Sequence, residues 1–226
     1  MQRYLAIETS SEACSLALEW DGRVLQRHRA APMMHAELLL PWVAELLAEA
    51  EANLAGLDAI VFGRGPGSFT SLRIGIGAVQ GLAWGAGLPV IPISSLAAVA
   101  QQVEANLGQT IWVAMDARMS EVFHGQFQRN AAGELLATSA ESVCAPAQLT
   151  LPEPDSTIAA GTAFGNFAEL DEWARKSIAV HAGMLPLAAA MLPLARQWLL
   201  KNEALPAAEA QPVYLRDHVA DKPKAV

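Results

Sequence analysis

Residues 5–25, LAIETSSEACSLALEWDGRVL, and residues 113–136, VAMDARMSEVFHGQFQRNAAGELL, follow one plan. In each, an apolar strand ends in an acid, a short polar turn follows, a second strand alternates apolar and polar residues, and a glycine-containing turn leads into a third strand. Asp21-Gly22 is a strong two-residue hairpin signal, so the first copy reads as an antiparallel meander, with strands near 4–7, 14–20 and 23–28. Glu8 of the first copy falls opposite Asp116 of the second. A repeat near half the chain length predicts a duplicated α/β fold with two lobes, 1–104 and 105–226, the boundary lying in EANLGQT.

Outward from the first copy, periodicity predicts helices over 34–50, 69–86 and 94–105. Buried strands over 57–62 and 89–93 separate them, giving βββαβαβα. In MHAELLLPWVAELLAEA, Leu38, Leu39, Trp42, Val43, Leu46 and Leu47 fall on one helical face, and Pro41 is expected to loosen the first turn. The second copy is less regular. Prolines 146, 152 and 154 mark a loop, short strands are expected near 157–160 and 177–180, and helices near 164–175 and 186–201. This lobe reads as degenerate. The tail QPVYLRDHVADKPKAV is expected to dock through Val213, Tyr214 and Leu215, with the last six residues or so fraying.

Composition narrows the functional classes. Of 226 residues 53% are apolar, which is enough for a substantial core, but no apolar run reaches the roughly 18 residues that a membrane span requires. MQRYLAIETSS enters a strand at once, without the organisation of a signal peptide, and a cytoplasmic protein is expected. With 23 acidic and 15 basic residues the formal charge is −8, which opposes unaided contact with phosphate backbones. If RNA is involved, another subunit is expected to hold it. Cys14 and Cys144 stand outside any CxxC or Cys/His cluster, and the five histidines form no HxxxH, HxH or HExxH pair. A serine-hydrolase elbow, GxSxG, is missing too.

The stretch GRGPGSFTSLRIGIG (63–77) has the form of a phosphate loop. No lysine follows its glycines, so it is not a Walker A motif; what remains is a strand, a permissive turn and a helix start, which is a generic anion site or simply a tight connection. Farther along the helix, Gly77, Gly81 and Gly85 recur every fourth residue. Each weakens the helix by about 1 kcal/mol relative to alanine, so something must approach that stripe closely, either an intramolecular neighbour or another subunit. Glu8 and Asp116 are candidates for facing carboxylates that hold magnesium or activate water, or else ordinary acids at strand ends.

Taken together, ETSSEACSLAL, GRGPGSFTSLRIGIGAVQGLAWGAGLPVIPISSLAAVAQ, VAMDARMSEVFHGQF and QPVYLRDHVA closely resemble the bacterial TsaB (YeaZ) proteins. The resemblance implies the duplicated actin-like, sugar-kinase-like ATPase fold. It also implies a non-catalytic role in making tRNA N6-threonylcarbamoyladenosine, beside a catalytic paralogue, TsaD, and the ATPase TsaE, with TsaC or TsaC2 supplying the threonylcarbamoyl adenylate. TsaD carries a helical HxxxH metal pair whose positions correspond here to Ser95 and Val99, so no metal is expected in this subunit. ATP or ADP is expected only at the boundary with TsaD, near Glu8, Ser10, Gly65, Gly67, Ser68 and Arg73. By the same resemblance Leu38, Leu39, Trp42, Leu46, Gly77, Gly81 and Gly85 form the contact with TsaD, or with a second copy of the chain when TsaD is absent, and tRNA is reached through the complex. Two departures stand out: many relatives have Asp at Glu8 and Gly at Ser71. The competing readings are an active actin-like ATPase or small-molecule kinase, and a protease.

Overall fold

Strand β1 (Tyr4–Glu8) is buried along its whole length, because both faces of its sheet are covered. Leu5 and Ile7 join one apolar cluster, while Tyr4 and Ala6 join another on the opposite side. The computed structural model describes residues 2–216, so the expected fraying of the last residues lies outside the described part of the chain.

Strands β2 (Ala13–Trp20) and β3 (Arg23–Ala30) complete the meander, and β4 (Ala59–Gly63) and β5 (Val90–Ile93) extend the sheet in parallel on the other side of β1. The order is β3-β2-β1-β4-β5. Asp21 and Gly22 both have positive φ, as a tight hairpin requires. β3 forms an edge, and its solvent-facing arginines protect it from pairing with another chain. The second sheet contains β6 (Thr110–Asp116), β7 (Val122–Arg129), β8 (Leu135–Ala137), β10 (Thr157–Gly161) and β11 (Ala179–Ala182), in the order β11-β10-β6-β7-β8, with β9 (Ser142–Cys144) also pairing with β7. Each sheet thus has a meander on one side of its first strand and two parallel strands on the other.

Helices α1 (His35–Glu49) and α2 (Phe69–Ala86) cover the outer face of the first sheet. Leu39, Val43 and Leu46 of α1, with Ile76, Val79 and Ala83 of α2, meet Leu5, Ile7, Ile60 and Phe62. The α1 helix runs through Pro41 without a break. Gly87, in the left-handed region at φ 67°, ends α2. Between the sheets lie α3 (Ser95–Ala100), capped by the Ser94 hydroxyl, and α5 (Ala188–Leu199). α3 packs on β6, β7 and β10, whereas α5 packs on β1, β2, β4 and β5. Each helix therefore serves the sheet of the other half. α4 (Ala168–Ala174) covers the outer face of the second sheet, where Trp112 packs edge-on against Phe164 and Trp173. The expected helices in this half are shorter than their apolar patterns, and β11 begins two residues later than its pattern. Among the described residues no helix is long and apolar enough to cross a membrane.

Candidate functional site

The carboxyl ends of β1 and β4 face those of β6 and β10 across a cleft of about 490 Å³, the place where open α/β sheets commonly bind ligands. The β1–β2 turn supplies Ser10, Ser11 and Glu12, the start of α2 supplies Ser68, Thr70 and Ser71, and the second half supplies Asp116, Arg118, Thr162 and Asn166. Ser10, Gly67 and Ser68 line the cleft, whereas Glu8, Gly65 and Arg73 do not.

Three glycines of the phosphate-loop-like stretch have a different reason to be glycine. A Cβ at Gly63 would strike the Glu8 carboxylate, one at Gly75 would strike the Thr9 hydroxyl, and one at Gly67 would strike the Ser10 backbone. Glu8-Thr9-Ser10 is thus seated, residue by residue, in three notches along β4 and α2. Thr9 donates to the Ser71 carbonyl at 2.9 Å, and Ser68 N–H donates to the Ser10 carbonyl at 2.7 Å, so one donor of the helix start is already occupied. Gly65, at φ 92°, brings the loop against the Val213 carbonyl.

This seating corrects the expected pair of facing carboxylates. Glu8 is fully buried behind the cleft. Its Oε1 accepts from Ser10 N–H at 2.6 Å and its Oε2 from the Ser95 hydroxyl at 2.8 Å. Burial raises its carboxyl above the usual range, partly offset by the hydrogen bonds from Ser10 and Ser95. Only Asp116 of the pair reaches the cleft, and its carboxylate accepts from the Arg118 N–H at 2.7 Å. Ser95 is the partner of Glu8, and Val99 is core. Among the described residues no group of three or more His, Cys, Asp or Glu side chains could hold a metal.

His35 reads from its helical position as a polar first-turn edge, but it is buried. Its Nε2 lies 3.2 Å from the Ala13 carbonyl, while Nδ1 has no partner among the described residues. Arg73 is held on the surface by the tail: its guanidinium lies 3.8 Å from the Phe69 ring centre and its Nε–H donates to Tyr214 at 3.0 Å.

The second candidate surface is the outer side of α2. A Cβ at Gly77, Gly81 or Gly85 would meet nothing within 4 Å, so among the described residues the stripe faces open space. Trp84, three residues beyond Gly81 and thus on the same face, is 77% exposed. Trp84 is not among the residues marked out by the sequence, although its i+3 spacing from Gly81 carries the signal. On α1 the expected partner-facing set divides. Leu39 and Leu46 are fully buried against the sheet and belong to the core, which corrects their assignment to a partner surface; Leu38 and Trp42 are half-buried, and Leu40 is exposed.

A family model described as TsaD, tRNA N6-adenosine threonylcarbamoyltransferase, matches residues 29–223. The tRNA threonylcarbamoyladenosine biosynthesis protein TsaB of Haemophilus influenzae is 39% identical, covering 96% of this chain and 95% of its own. The chain belongs to the TsaB (YeaZ) family. Its TsaB relative in Escherichia coli K12 is 37% identical, with 97% of each chain covered. YeaZ from Pseudomonas aeruginosa superposes with a TM-score of 0.85 at 40% identity, over 95% of this chain and 100% of that one. A second Pseudomonas aeruginosa structure, described as similar to peptidase YEAZ, gives 0.86 at 40% identity, over 96% and 100%.

Proposed function

We propose that the protein is a non-catalytic subunit of the machinery that forms N6-threonylcarbamoyladenosine in tRNA, holding a TsaD-type transferase in a competent arrangement together with TsaE. Its TsaB relatives are named for that biosynthesis. In this reading the two lobes derive from a duplicated actin-like unit, which the matching arrangement of the two sheets supports. TsaC or TsaC2 acts upstream, ATP or ADP sits at the boundary with TsaD, a homodimer forms when TsaD is absent, and tRNA is met through the complex in the cytoplasm.

The observation that carries the proposal is the open glycine stripe of α2 beside the exposed Trp84. Three glycines in a solvent-facing helix face cost helix stability with no compensating contact among the described residues, and a large aromatic left in water beside them is the composition of an interface core. A kinase or ATPase acting through Glu8 and Asp116 draws no support from a Glu8 whose two oxygens are already engaged behind the cleft.

The test is light-scattering chromatography of the chain alone, with TsaD, and with TsaD, TsaE and nucleotide. The expected result is a homodimer replaced by a heterodimer on adding TsaD, with no ATPase or transferase activity in the isolated chain. Failure to bind TsaD at micromolar concentrations under every condition would overturn the reading.

A further inference from the structure

The C-terminal segment returns from the second half to the first sheet and then crosses back. Leu205 pairs with Val90 through two backbone hydrogen bonds, 2.9 and 2.8 Å. Ala207 and Ala210 are buried beside α2, and Gln80 donates to the Ala210 carbonyl at 2.9 Å. Val213 N–H then donates to the Arg64 carbonyl at 2.8 Å, just after β4. The Tyr214 ring stacks 5.3 Å from Phe69 at the start of α2 and accepts the Arg73 hydrogen bond. Two residues later Arg216 is bound to the opposite wall. Its Nε–H donates to Glu121 Oε2 at 2.8 Å, its Nη2 reaches the same carboxylate, and Nη2 also donates to the Ala117 carbonyl at 3.2 Å.

The turn that receives Arg216 is itself unusual. Arg118, Met119 and Ser120 are three successive residues at φ 60°, 53° and 57°, a conformation that side chains other than glycine adopt at a cost. Such backbone persists only where its surroundings fix it, and Arg216 holds both ends of the turn, through Ala117 and Glu121. Val213, Tyr214, Leu215 and Arg216 also line the cleft.

We propose that residues 213–216 are a clasp across the mouth of the cleft, with Tyr214 as the anchor on the first half and Arg216 as the anchor on the second. The clasp closes as a unit: freeing either anchor loosens both the start of α2 and the 117–121 turn, and so opens the cleft. Tyr214 lines a groove with Gly77 and bonds Arg73 one turn before it, whereas Arg216 is held on the second half, away from the α2 glycine stripe, so the Arg216 variant tests the clasp apart from the proposed docking function.

Hydrogen exchange by mass spectrometry on the full chain tests this, comparing wild type with Arg216→Ala and Tyr214→Ala. A released charge-assisted anchor is expected to speed exchange about tenfold or more. The acceleration is expected in both 66–72 and 117–121 for either variant, while the core amides of Tyr4–Glu8 stay at their wild-type rate. Acceleration confined to the segment nearest the substitution, or to neither, overturns the clasp. Should the alanine variants loosen the core as well, Tyr214→Phe, which removes only the Arg73 hydrogen bond, is read by the same criterion: coupled acceleration supports the clasp, and uncoupled or unchanged exchange refutes it.

Discussion

Gly81→Leu separates the two explanations of the glycine stripe because it acts on them with opposite sign. Gly81 lies in the middle of α2, at a helical φ, with open space where a side chain would go. In the isolated chain, leucine therefore adds helix propensity and meets no obstacle, a gain of about 0.5–1 kcal/mol. For a domain of this size that raises the melting temperature by roughly 1–4 °C. At a close helix-to-helix contact the same side chain is an obstruction. Overpacking costs about 1–3 kcal/mol, which weakens binding to TsaD by about 5- to 150-fold. The assay is paired: thermal unfolding of the chain alone at a concentration where it is monomeric, and calorimetric titration with TsaD. A variant that is more stable alone and binds worse places the stripe at the interface. A variant that binds TsaD with wild-type affinity refutes that placement. A lower melting temperature would instead mean that a neighbour within the chain occupies the face.

Three further outcomes follow from the seating of Glu8-Thr9-Ser10. Gly75→Ala, two residues from an open glycine, is expected to cost about 1–3 kcal/mol and lower the melting temperature by roughly 2–10 °C, because its methyl would displace Thr9 from its bond to Ser71; Gly77→Ala is expected to be neutral or stabilising in the same scan. Glu8→Gln keeps the size and both hydrogen-bonding positions while removing the buried charge. Since burial raises the Glu8 carboxyl in the folded state, the wild type loses stability as pH climbs from below the ordinary value of 4.5 through the raised one. The variant should match the wild type at low pH and exceed it at pH 7–8 in parallel melting curves; equal curves across the range would refute the assignment. Burial, with a smaller push from Glu8, raises the Cys14 thiol to about 11. At pH 8 the thiolate fraction is then about one in a thousand. Cys14 should be inert to a disulfide reagent in the native protein, whereas both cysteines react in denaturant; fast native labelling mapped to Cys14 would count against its buried place.

The parts of the fold legible in the sequence are those fixed by near neighbours. The β1–β3 meander follows from alternation and from Asp21-Gly22, and α2 from its period and its terminal Gly87. Gly63, Gly67 and Gly75 were visible as a turn and helix start, but their purpose was not, since the side chains that fill the notches arrive from a strand more than fifty residues earlier in the chain. The α1 stripe illustrates another limit of periodicity. Leu39, Val43 and Leu46 lie on one face whether that face meets a sheet or a partner, and only the tertiary contact assigns them to the core. Trp84 is the reverse case, an apolar residue at stripe spacing that no neighbour among the described residues covers.

The exchanged helices explain why the second half reads poorly, and they yield a last expectation. Ala188, Met191, Leu192 and Ala195 of α5 form a clear apolar stripe, but α5 packs on the first sheet, in a cluster with Tyr4, Ala6, Val61, Ile91 and Ile93 that continues through α3 to Val113 and Ile158 of the second. The two halves therefore share one core, although each has its own sheet. A fragment of residues 1–104 would leave the inner face of β1, β4 and β5 in water. Exposing five such side chains forfeits roughly 1.5–3 kcal/mol for each of the larger ones, a sum comparable to the 5–15 kcal/mol net stability of a whole domain. The fragment should thus lack a cooperative melting transition, and co-expression with 105–226 should restore a soluble complex in which Arg196 again reaches Glu19 and Ala188 N–H again finds Ser15. Cooperative two-state unfolding of 1–104 alone would show that its sheet needs no cover from α5, and that the halves are separable domains after all.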